Sequence, residues 1–394
     1  MHDALRRFPA SLFQFDSRMA DGWYADRYFV RTRNTLAHAG RNPTVRMQLF
    51  AKETGIVAGV YEVIRMLETQ LASGTFRDLT VDTLLDGDPL IPWDPVMHIT
   101  GPYLAFAHLE TDYLGVLARR SLVASNVRRT IDAAAGKPVI FMGARHDDWR
   151  VQTPDGYAAQ VGGAGSVSSD AGGAWWGAKG VGTMPHALIA AFGGDTVAAT
   201  IAFTDYCRAK EPGVQIVSLV DYHNDVVTDA LAVAHAMRDR FGDQVLSGVR
   251  VDTSERLTDL ALAGREPEFP GQLLFGVSAP LVRALRDALD SAGFPYVGII
   301  ASGGFTPNRI RRFEDAGVPV MAYGVGSSLL GHNHGERDGL LSNCDFTADV
   351  VAVDGRPENK VGRPARANPA FVRVSLPPSW SVPSAPRPPG TPGR

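Results

Sequence analysis

The stretches that decide the fold are VLSGVRVD (residues 245–252), YVGIIAS (296–302) and VPVMAYGVG (318–326). Each is a short run of apolar, largely β-branched residues that ends in Asp, Ser or Gly. Amphipathic helical patterns at 227–241 and 279–292 lie before and between them. Strands that alternate with helices pair in parallel, so this region predicts a parallel sheet, either open or closed into a barrel. Functional residues of such folds gather at the carboxyl ends of the strands.

The rest of the chain divides into segments of different character. We predict further strands at VIFMG (139–143), AAQVGG (158–163), QIVSLVD (215–221) and FVRVS (371–375), and a strand and turn at FTADVVAVDGRP (346–357). We predict helix from about residue 23 to 70 and over 108–135, and strand-like structure over 76–103. The predicted units are an N-terminal α/β domain at 1–135 that is completed by 346–375, a barrel at 136–345, and a disordered Pro-rich tail at 376–394.

Composition excludes several classes of protein. The 394 residues carry 39 Lys and Arg against 42 Asp and Glu, a formal charge of −3, which argues against a nucleic-acid binder that works by bulk electrostatics. No apolar run approaches the ~20 residues of a membrane helix, and the N-terminus shows no secretion signal. Cys207 and Cys344 are the only cysteines, which favours a reducing compartment. We therefore expect a cytoplasmic protein without nucleic-acid or membrane partners.

Two glycine-rich turns follow consecutive late strands of the predicted barrel. The first contains Ser302, Gly303 and Gly304, and the second contains Gly324, Gly326 and Ser327. Glycine lets backbone N–H groups approach an anion, and the loops after the last strands of such barrels commonly bind phosphate. The alternative is that glycine only closes tight turns, but two such loops in succession favour a phosphate site.

Charged residues end two other strands. Alternation places Arg250 and Asp252 on one face of their strand, where they would suit a phosphate and a sugar hydroxyl, or form a structural ion pair. Asp221 is a second acidic strand end, and with Asp252 it could hold Mg²⁺ or ribose hydroxyls. His186 lies where a loop enters a helix and could act as acid, base or phospho-acceptor, although an isolated histidine is more often structural.

Several motifs, in this order, resemble the nicotinate phosphoribosyltransferase family, particularly its archaeal-type branch. They are YADRYFVRT (24–32), LETDYLGVLARRSLVASN (109–126), VGTMPHALIAAFGGD (181–195), GVRVDTSER (248–256), IIASGGF (299–305), YGVGSSLL (323–330) and FTADVVAVDGRPENKVGR (346–363). The resemblance spans about residues 23–365. It implies a type II phosphoribosyltransferase, with an N-terminal α/β sandwich domain and an irregular (β/α) barrel, forming a homodimer or larger oligomer with shared active sites.

The resemblance also implies a reaction and residue roles. Nicotinate and 5-phosphoribosyl-1-diphosphate would give nicotinate mononucleotide and pyrophosphate, a step of NAD salvage, with Mg²⁺ and with ATP as co-substrate. The resemblance implies that His186 is phosphorylated by ATP and that Arg250 and Asp252 contact the phosphoribosyl diphosphate. It implies that Arg145 binds the base, together with Asp26 and Tyr28 contributed by a neighbouring subunit. The residues implied to bind the 5-phosphate are Ser302, Gly303, Gly304, Gly324, Gly326 and Ser327. No metal is expected to be fixed by the protein alone; Mg²⁺ would be held with the diphosphate, with Asp221 and Asp252 as candidate ligands.

The sequence departs from the family pattern near the base. Met142 stands where the family has an aromatic residue, and Ala164 lies in a segment that lacks the family's acidic residue. These departures leave open quinolinate phosphoribosyltransferase, or a paralogue that uses another heteroaromatic acid, as the activity. A sensor of phosphoribosyl ligands is the alternative outside enzymes.

Overall fold

The structure is a computed structural model that describes residues 8, 10–72, 74–332 and 338–374. The Pro-rich tail predicted at 376–394 lies outside these residues. The helices are α1 (Arg27–His38), α2 (Val60–Gln70), α3 (Tyr103–Phe106), α4 (Glu110–Ala133), α5 (Gln152–Gly162), α6 (Asp170–Gly173), α7 (His186–Ala191), α8 (Thr196–Lys210), α9 (Val226–Phe241), α10 (Ala279–Ser291) and α11 (Pro307–Asp315). The strands are β1 (Thr44–Ala51), β2 (Gly55–Ile56), β3 (Thr80–Thr83), β4 (Pro89–Leu90), β5 (Pro95–Pro102), β6 (Val139–Phe141), β7 (Ser166–Val167), β8 (Ile216–Leu219), β9 (Leu246–Val251), β10 (Gly298–Ala301), β11 (Ala322–Val325), β12 (Phe346–Val353), β13 (Arg356–Pro357) and β14 (Val372–Arg373).

The first sheet is antiparallel and has the strand order β13–β12–β1–β5–β3–β14. Its central strand β1 pairs along its whole length with β5 on one side and β12 on the other. Alternate residues of β1 face the core, where Met47 and Leu49 join Ile64 and Leu67 of α2 in one buried cluster. Strands from residues 346–373 therefore sit in the same sheet as strands from residues 44–102.

The helix expected across residues 44–51 is wrong, because these residues form β1. The segment TVRMQLFA contains Met, Gln and Leu, which favour helices locally, but pairing on both sides overrides that preference. Gln48 points away from the apolar core and is nevertheless buried. Its side-chain oxygen accepts from the backbone N–H of Arg366 (2.8 Å). The C-terminal segment thus covers a polar position that resembles an exposed one in the sequence.

The second sheet is parallel and has the order β7–β6–β11–β10–β9–β8. Among the described residues its edge strands β7 and β8 do not pair with each other, so the sheet is an open half-barrel. The predicted irregular (β/α) barrel with an N-terminal α/β domain is confirmed in this form. Helices α9, α10 and α11 are preceded by the N-cap residues Asp225, Ser278 and Thr306, whose side chains each accept a hydrogen bond from a backbone N–H of the first turn.

The strand expected at AAQVGG (158–163) is wrong, because these residues end helix α5. Gly156 in this helix lies so close to the backbone of Gly172 that a Cβ there would approach the Gly172 carbonyl oxygen to 2.2 Å. Gly163 then ends the helix in the left-handed conformation, with φ of 109°. The small residues therefore serve close helix packing, and a sequence pattern of short side chains does not distinguish this from a strand.

Helix α4 connects the two halves of the molecule, and the prediction of one long helix over 108–135 is confirmed. Tyr113 and Leu117 in its first half lie in the core of the antiparallel sheet, whereas Val123 and Val127 lie in the core of the half-barrel. The middle of α4 is therefore held between both cores. No helix within the described residues is both long enough and apolar enough to cross a bilayer.

Candidate functional site

A cleft with a volume of about 490 Å³ opens at the carboxyl edge of the parallel sheet. The loops after β6, β9, β10 and β11 line it, together with the segment that leads into α7. Open parallel sheets place their ligands at this edge. The predicted site residues that line the cleft are Arg145, His186, Arg250, Asp252, Ser302, Gly303, Gly304, Gly324, Gly326 and Ser327.

The loop after β10 is built to present backbone N–H groups to the cleft. Gly303 and Gly304 both have positive φ, of 89° and 66°, a conformation that favours glycine. Arg309 of α11 donates to the carbonyl oxygens of both residues, at 2.8 and 3.2 Å. In a trans peptide the N–H points away from the preceding carbonyl, so the N–H groups of Gly304 and Phe305 face away from Arg309. With the start of α11 directly behind it, this loop has the features of an anion site.

The loop after β11 lies directly against the loop after β6. A Cβ on Gly326 would come within 2.6 Å of Nε2 of His146 and 2.9 Å of the Met142 carbonyl oxygen. A Cβ on Gly324 would come within 2.8 Å of the Met142 side chain. Close packing against the His146 ring and the Met142 backbone therefore favours glycine at 326, whereas the flexible Met142 side chain, which departs from the family pattern, covers Gly324.

Arg250 lies in β9 and Asp252 directly follows it, and the side chains of both line the cleft. Nη1 of Arg250 donates to the hydroxyl of Thr183 (2.8 Å), whereas its buried Nε has no hydrogen-bond partner among the described residues. Oδ1 of Asp252 accepts from the hydroxyl of Ser302 (2.8 Å). The two residues are thus held by neighbouring loops, and both line the cleft.

His186 and Asp221 form a pair at one side of the cleft. Nε2 of His186 lies 3.1 Å from the Asp221 carboxylate. The carboxylate is almost fully buried, with 4% of its side chain exposed, whereas the histidine is 44% exposed. Burial raises the pKa of Asp221, nearby Asp252 acts in the same direction, and His186 acts against it. Asp221 thus lies behind the histidine and not on the cleft surface, where the sequence placed it.

Two predicted residues lie away from this cleft. Asp26 and Tyr28 sit at the start of α1, where the Asp26 carboxylate accepts from the hydroxyl of Thr111 (3.1 Å) and 59% of Tyr28 is exposed. The structure brings neither of them to the cleft of the same chain. Their exposed neighbours Trp23 and Tyr24 extend the aromatic surface at this point.

The sequence alone did not reveal several residues of the cleft. Thr183 and Ser168 line it, and Thr183 precedes His186 in the motif that drew attention to the histidine. His146 also lines it and directly follows Arg145. A histidine beside an arginine after a strand was a signal that could have been used. No short motif pointed to Thr183 as the partner of Arg250, because 67 residues separate them.

Comparison with known proteins shows what this chain is similar to. Residues 26–121 match the model of the quinolinate phosphoribosyl transferase N-terminal domain. A nicotinate phosphoribosyltransferase from Mycobacterium tuberculosis is 29% identical over 284 residues, 71% of this chain and 55% of that protein. A crystal structure described as a nicotinate-nucleotide pyrophosphorylase from Pyrococcus furiosus has a TM-score of 0.74 and 28% identity, over 92% of this chain and 85% of the other. The structure of human nicotinic acid phosphoribosyltransferase shares the fold, with a TM-score of 0.61 and 20% identity over 86% of this chain and 77% of that one.

The half-barrel, the antiparallel domain beside it and the site at the carboxyl rim define the type II phosphoribosyltransferase class. Within that class the chain is similar to nicotinate phosphoribosyltransferases, at 29% identity over 71% of its length for the M. tuberculosis protein. Its match spans about half the length of the curated relatives, 55% of the M. tuberculosis protein and 45% of one from Bacillus subtilis.

Proposed function

We propose that this protein transfers the phosphoribosyl group of 5-phosphoribosyl-1-diphosphate to nicotinate, with ATP hydrolysis coupled through phosphorylation of His186. The products are nicotinate mononucleotide and pyrophosphate. The observation that carries the proposal is that one cleft is lined by two glycine loops, by Arg250 and Asp252, and by His186, which contacts Asp221. It would act in the cytoplasm, where its buried, unpaired Cys207 and Cys344 would stay reduced.

The transfer step requires one negative and one positive group from the protein. The lone pair of the pyridine nitrogen attacks C1 of the ribose while the bond from C1 to the diphosphate oxygen breaks. Positive charge grows on the ribose, and the Asp252 carboxylate is placed to stabilise it. Negative charge grows on the leaving diphosphate, and Arg250 is placed to bind it. The N–H groups of Gly304 and Phe305 would hold the 5-phosphate.

The acidic residues also fit Mg²⁺ bound together with the diphosphate. Asp252 lines the cleft, and Asp221 contacts His186, which lines it too. Mg²⁺ usually binds through one or two carboxylates plus substrate phosphates, so Asp252 would supply the carboxylate at the cleft surface, whereas Asp221 is engaged by His186. When bound, the ion would supply neutralisation of the diphosphate charge. No group of three or more metal-ligating side chains is found among the residues that the structure describes.

The base end of the cleft favours a substrate with one carboxylate. Arg145 and His146 are the basic side chains on the loop after β6. Burial lowers the pKa of His146, and Arg145 and His332 act in the same direction, which favours its neutral form. Arg145 is then the full positive charge at this end, which suits nicotinate better than the two carboxylates of quinolinate.

The exposed aromatic surface around Tyr28 supports a homodimer with shared active sites. A large exposed cluster of aromatic residues is uncommon on a monomer and usually marks a contact surface. Tyr28 and Asp26 would then complete the base end of a partner's cleft. The second copy of the chain is the proposed occupant.

A pyrophosphate-release assay tests the function directly. The full chain would be incubated with Mg²⁺ and 5-phosphoribosyl-1-diphosphate, and with nicotinate, quinolinate or nicotinamide in parallel, each with and without ATP. Release with nicotinate that rises with ATP is the expected result. Release with quinolinate instead would establish the quinolinate enzyme. Binding of the diphosphate without release from any base would contradict the proposal and favour a sensor or another base.

Replacing Gly326 with alanine is expected to weaken binding of 5-phosphoribosyl-1-diphosphate about tenfold, or about 1.4 kcal/mol. The new Cβ would meet His146 and the Met142 carbonyl, so one of the two loops must move. Isothermal titration of wild type and variant measures the effect. Gly115→Ala is the control, since a Cβ at this exposed position of α4 has no atom within 4 Å. Unchanged affinity in Gly326→Ala would remove this loop from the phosphate site.

A further inference from the structure

One side chain outside the cleft holds two of the loops that form it. Arg119 lies in the middle of α4, and its Nη2 donates to the carboxylates of Asp147 (2.6 Å) and Asp155 (2.7 Å). Its Nε donates to the other oxygen of Asp155 (3.2 Å), and its Nη1 donates to the carbonyl of Leu330 (3.3 Å). A planar guanidinium can make such divergent contacts at once, which an ammonium group cannot.

The partners of Arg119 belong to the loops that carry the proposed base and phosphate contacts. Asp147 comes two residues after Arg145, in the loop after β6. Leu330 ends the short 3₁₀ turn Ser327–Leu330, which begins directly after Gly326. Arg119 therefore joins the far ends of both loops, while their near ends face the cleft.

The same two loops also touch at the cleft itself. The His146 ring lies against Gly326, so closely that even a methyl group would not fit between them. On the outer side, Nε2 of His332 lies 3.5 Å from the Asp147 carboxylate. A displacement of either loop would therefore change the position of Arg145 relative to the phosphate loop.

We propose that Arg119 is a positioning residue that sets the geometry of the base pocket by holding the 144–147 and 326–330 loops together. It touches no substrate and acts through Asp147 and the Leu330 carbonyl. This inference rests on the proposed function, because it assigns Arg145 to the carboxylate of the base. An arginine whose distance from the ribose site is fixed discriminates between acids of different shape.

The neighbouring Arg120 provides a matched control. It is also largely buried on α4 and donates to Glu62 (3.0 Å) and Asp155 (3.2 Å), so it joins α4 to α2 and α5. It makes no hydrogen bond to Asp147 or Leu330 among the described residues. When either arginine is replaced, Asp155 still forms an ion pair with the other one, which limits the loss of stability. The two arginines thus share a structural role, and only Arg119 has the link to the loops.

The kinetic test compares Arg119→Lys, Arg120→Lys and Asp147→Asn in the full chain. Arg119→Lys and Asp147→Asn are expected to raise KM for nicotinate about tenfold while kcat at saturating base changes by less than about threefold. The double variant Arg119→Lys/Asp147→Asn is expected to raise KM for nicotinate no further than either of its single variants, since both substitutions remove the same link. Arg120→Lys should lower the melting temperature without raising KM for nicotinate. Equal kinetic effects of Arg119→Lys and Arg120→Lys would show a merely structural role and overturn the proposal.

A second measurement needs no substrate and separates this proposal from the proposed function. Hydrogen–deuterium exchange is followed in peptides that cover residues 142–152 and 324–332. Both are expected to exchange faster in Arg119→Lys than in wild type or Arg120→Lys. If they do so while the wild type is inactive with nicotinate, the loop link stands and the proposed reaction is wrong. If exchange is unchanged while wild-type transfer is normal, the loop link is wrong and the proposed reaction stands.

Discussion

Asp252→Ala is expected to lower kcat for pyrophosphate release by about 10²–10³-fold, the usual loss when one electrostatic group facing a transition-state charge is removed. The carboxylate lines the cleft and is held by the hydroxyl of Ser302, so its position is fixed before substrate binds. KM for nicotinate should change much less, because the charge on the ribose develops only as the bond to the diphosphate breaks. Steady-state kinetics with both substrates measures the two effects separately.

Asp252→Asn separates charge from position. The amide oxygen can still accept from Ser302, so the loop after β10 should keep its place while the negative charge is lost. We expect a loss of kcat close to that of the alanine variant. Asp243→Ala is the control, because this exposed residue precedes the same strand at its opposite end. Turnover of Asp252→Ala within about threefold of wild type would remove this carboxylate from the transition state.

The parts of the site that the sequence predicted are those in which function and fold share a short segment. A parallel strand, its terminal glycine or acid and the following helix are contiguous in the chain, as in the segment that contains Ser302 and Gly303. Because all such strands point the same way, residues far apart in sequence meet at one rim. The location of the cleft therefore followed from the alternation of strands and helices together with the residues at the strand ends.

The parts that the sequence missed depend on partners that are distant in the chain. Residues 44–51 form a strand because β5 and β12 flank them, and β12 begins almost 300 residues later. Gly156 belongs to a helix because its lack of a side chain admits the backbone of Gly172. Local propensity reflects neither of these contacts, so tertiary context determines the secondary structure of both segments.

Arg119 illustrates the same limit within the site. Two adjacent arginines in a helix are typical of a solvated surface, and nothing near Arg119 in sequence indicates otherwise. Its acidic partners lie 28 and 36 residues away, in segments whose own structure was predicted incompletely. Residues that touch substrate leave motifs at strand ends, whereas a residue that positions other residues can be found only from the folded geometry.

His186→Ala is expected to abolish the stimulation by ATP, so that transfer proceeds at the same reduced rate with and without it. Nε2 of His186 faces the buried Asp221 carboxylate at 3.1 Å, which favours the tautomer with the proton on Nε2 and leaves the lone pair on Nδ1. That lone pair would attack the γ-phosphorus of ATP as the bond to the ADP oxygen breaks. Asp221 would stabilise the positive charge left on the ring, as a carboxylate does for the histidine of a catalytic triad. Acid-labile phosphate on the protein after incubation with ATP measures the step.

Asp221→Asn and His223→Ala test the pair more closely. An amide at residue 221 keeps the size of the side chain but removes its charge, and we expect phosphorylation to slow about 100-fold, within the range for loss of one electrostatic group that stabilises a developing charge. His223 forms a similar pair with Asp229, at 2.9 Å, but it is half exposed and does not line the cleft. Its replacement should leave phosphorylation unchanged. Phosphate that still appears on His186→Ala, and disappears from His223→Ala, would move the phospho-acceptor from His186 to His223.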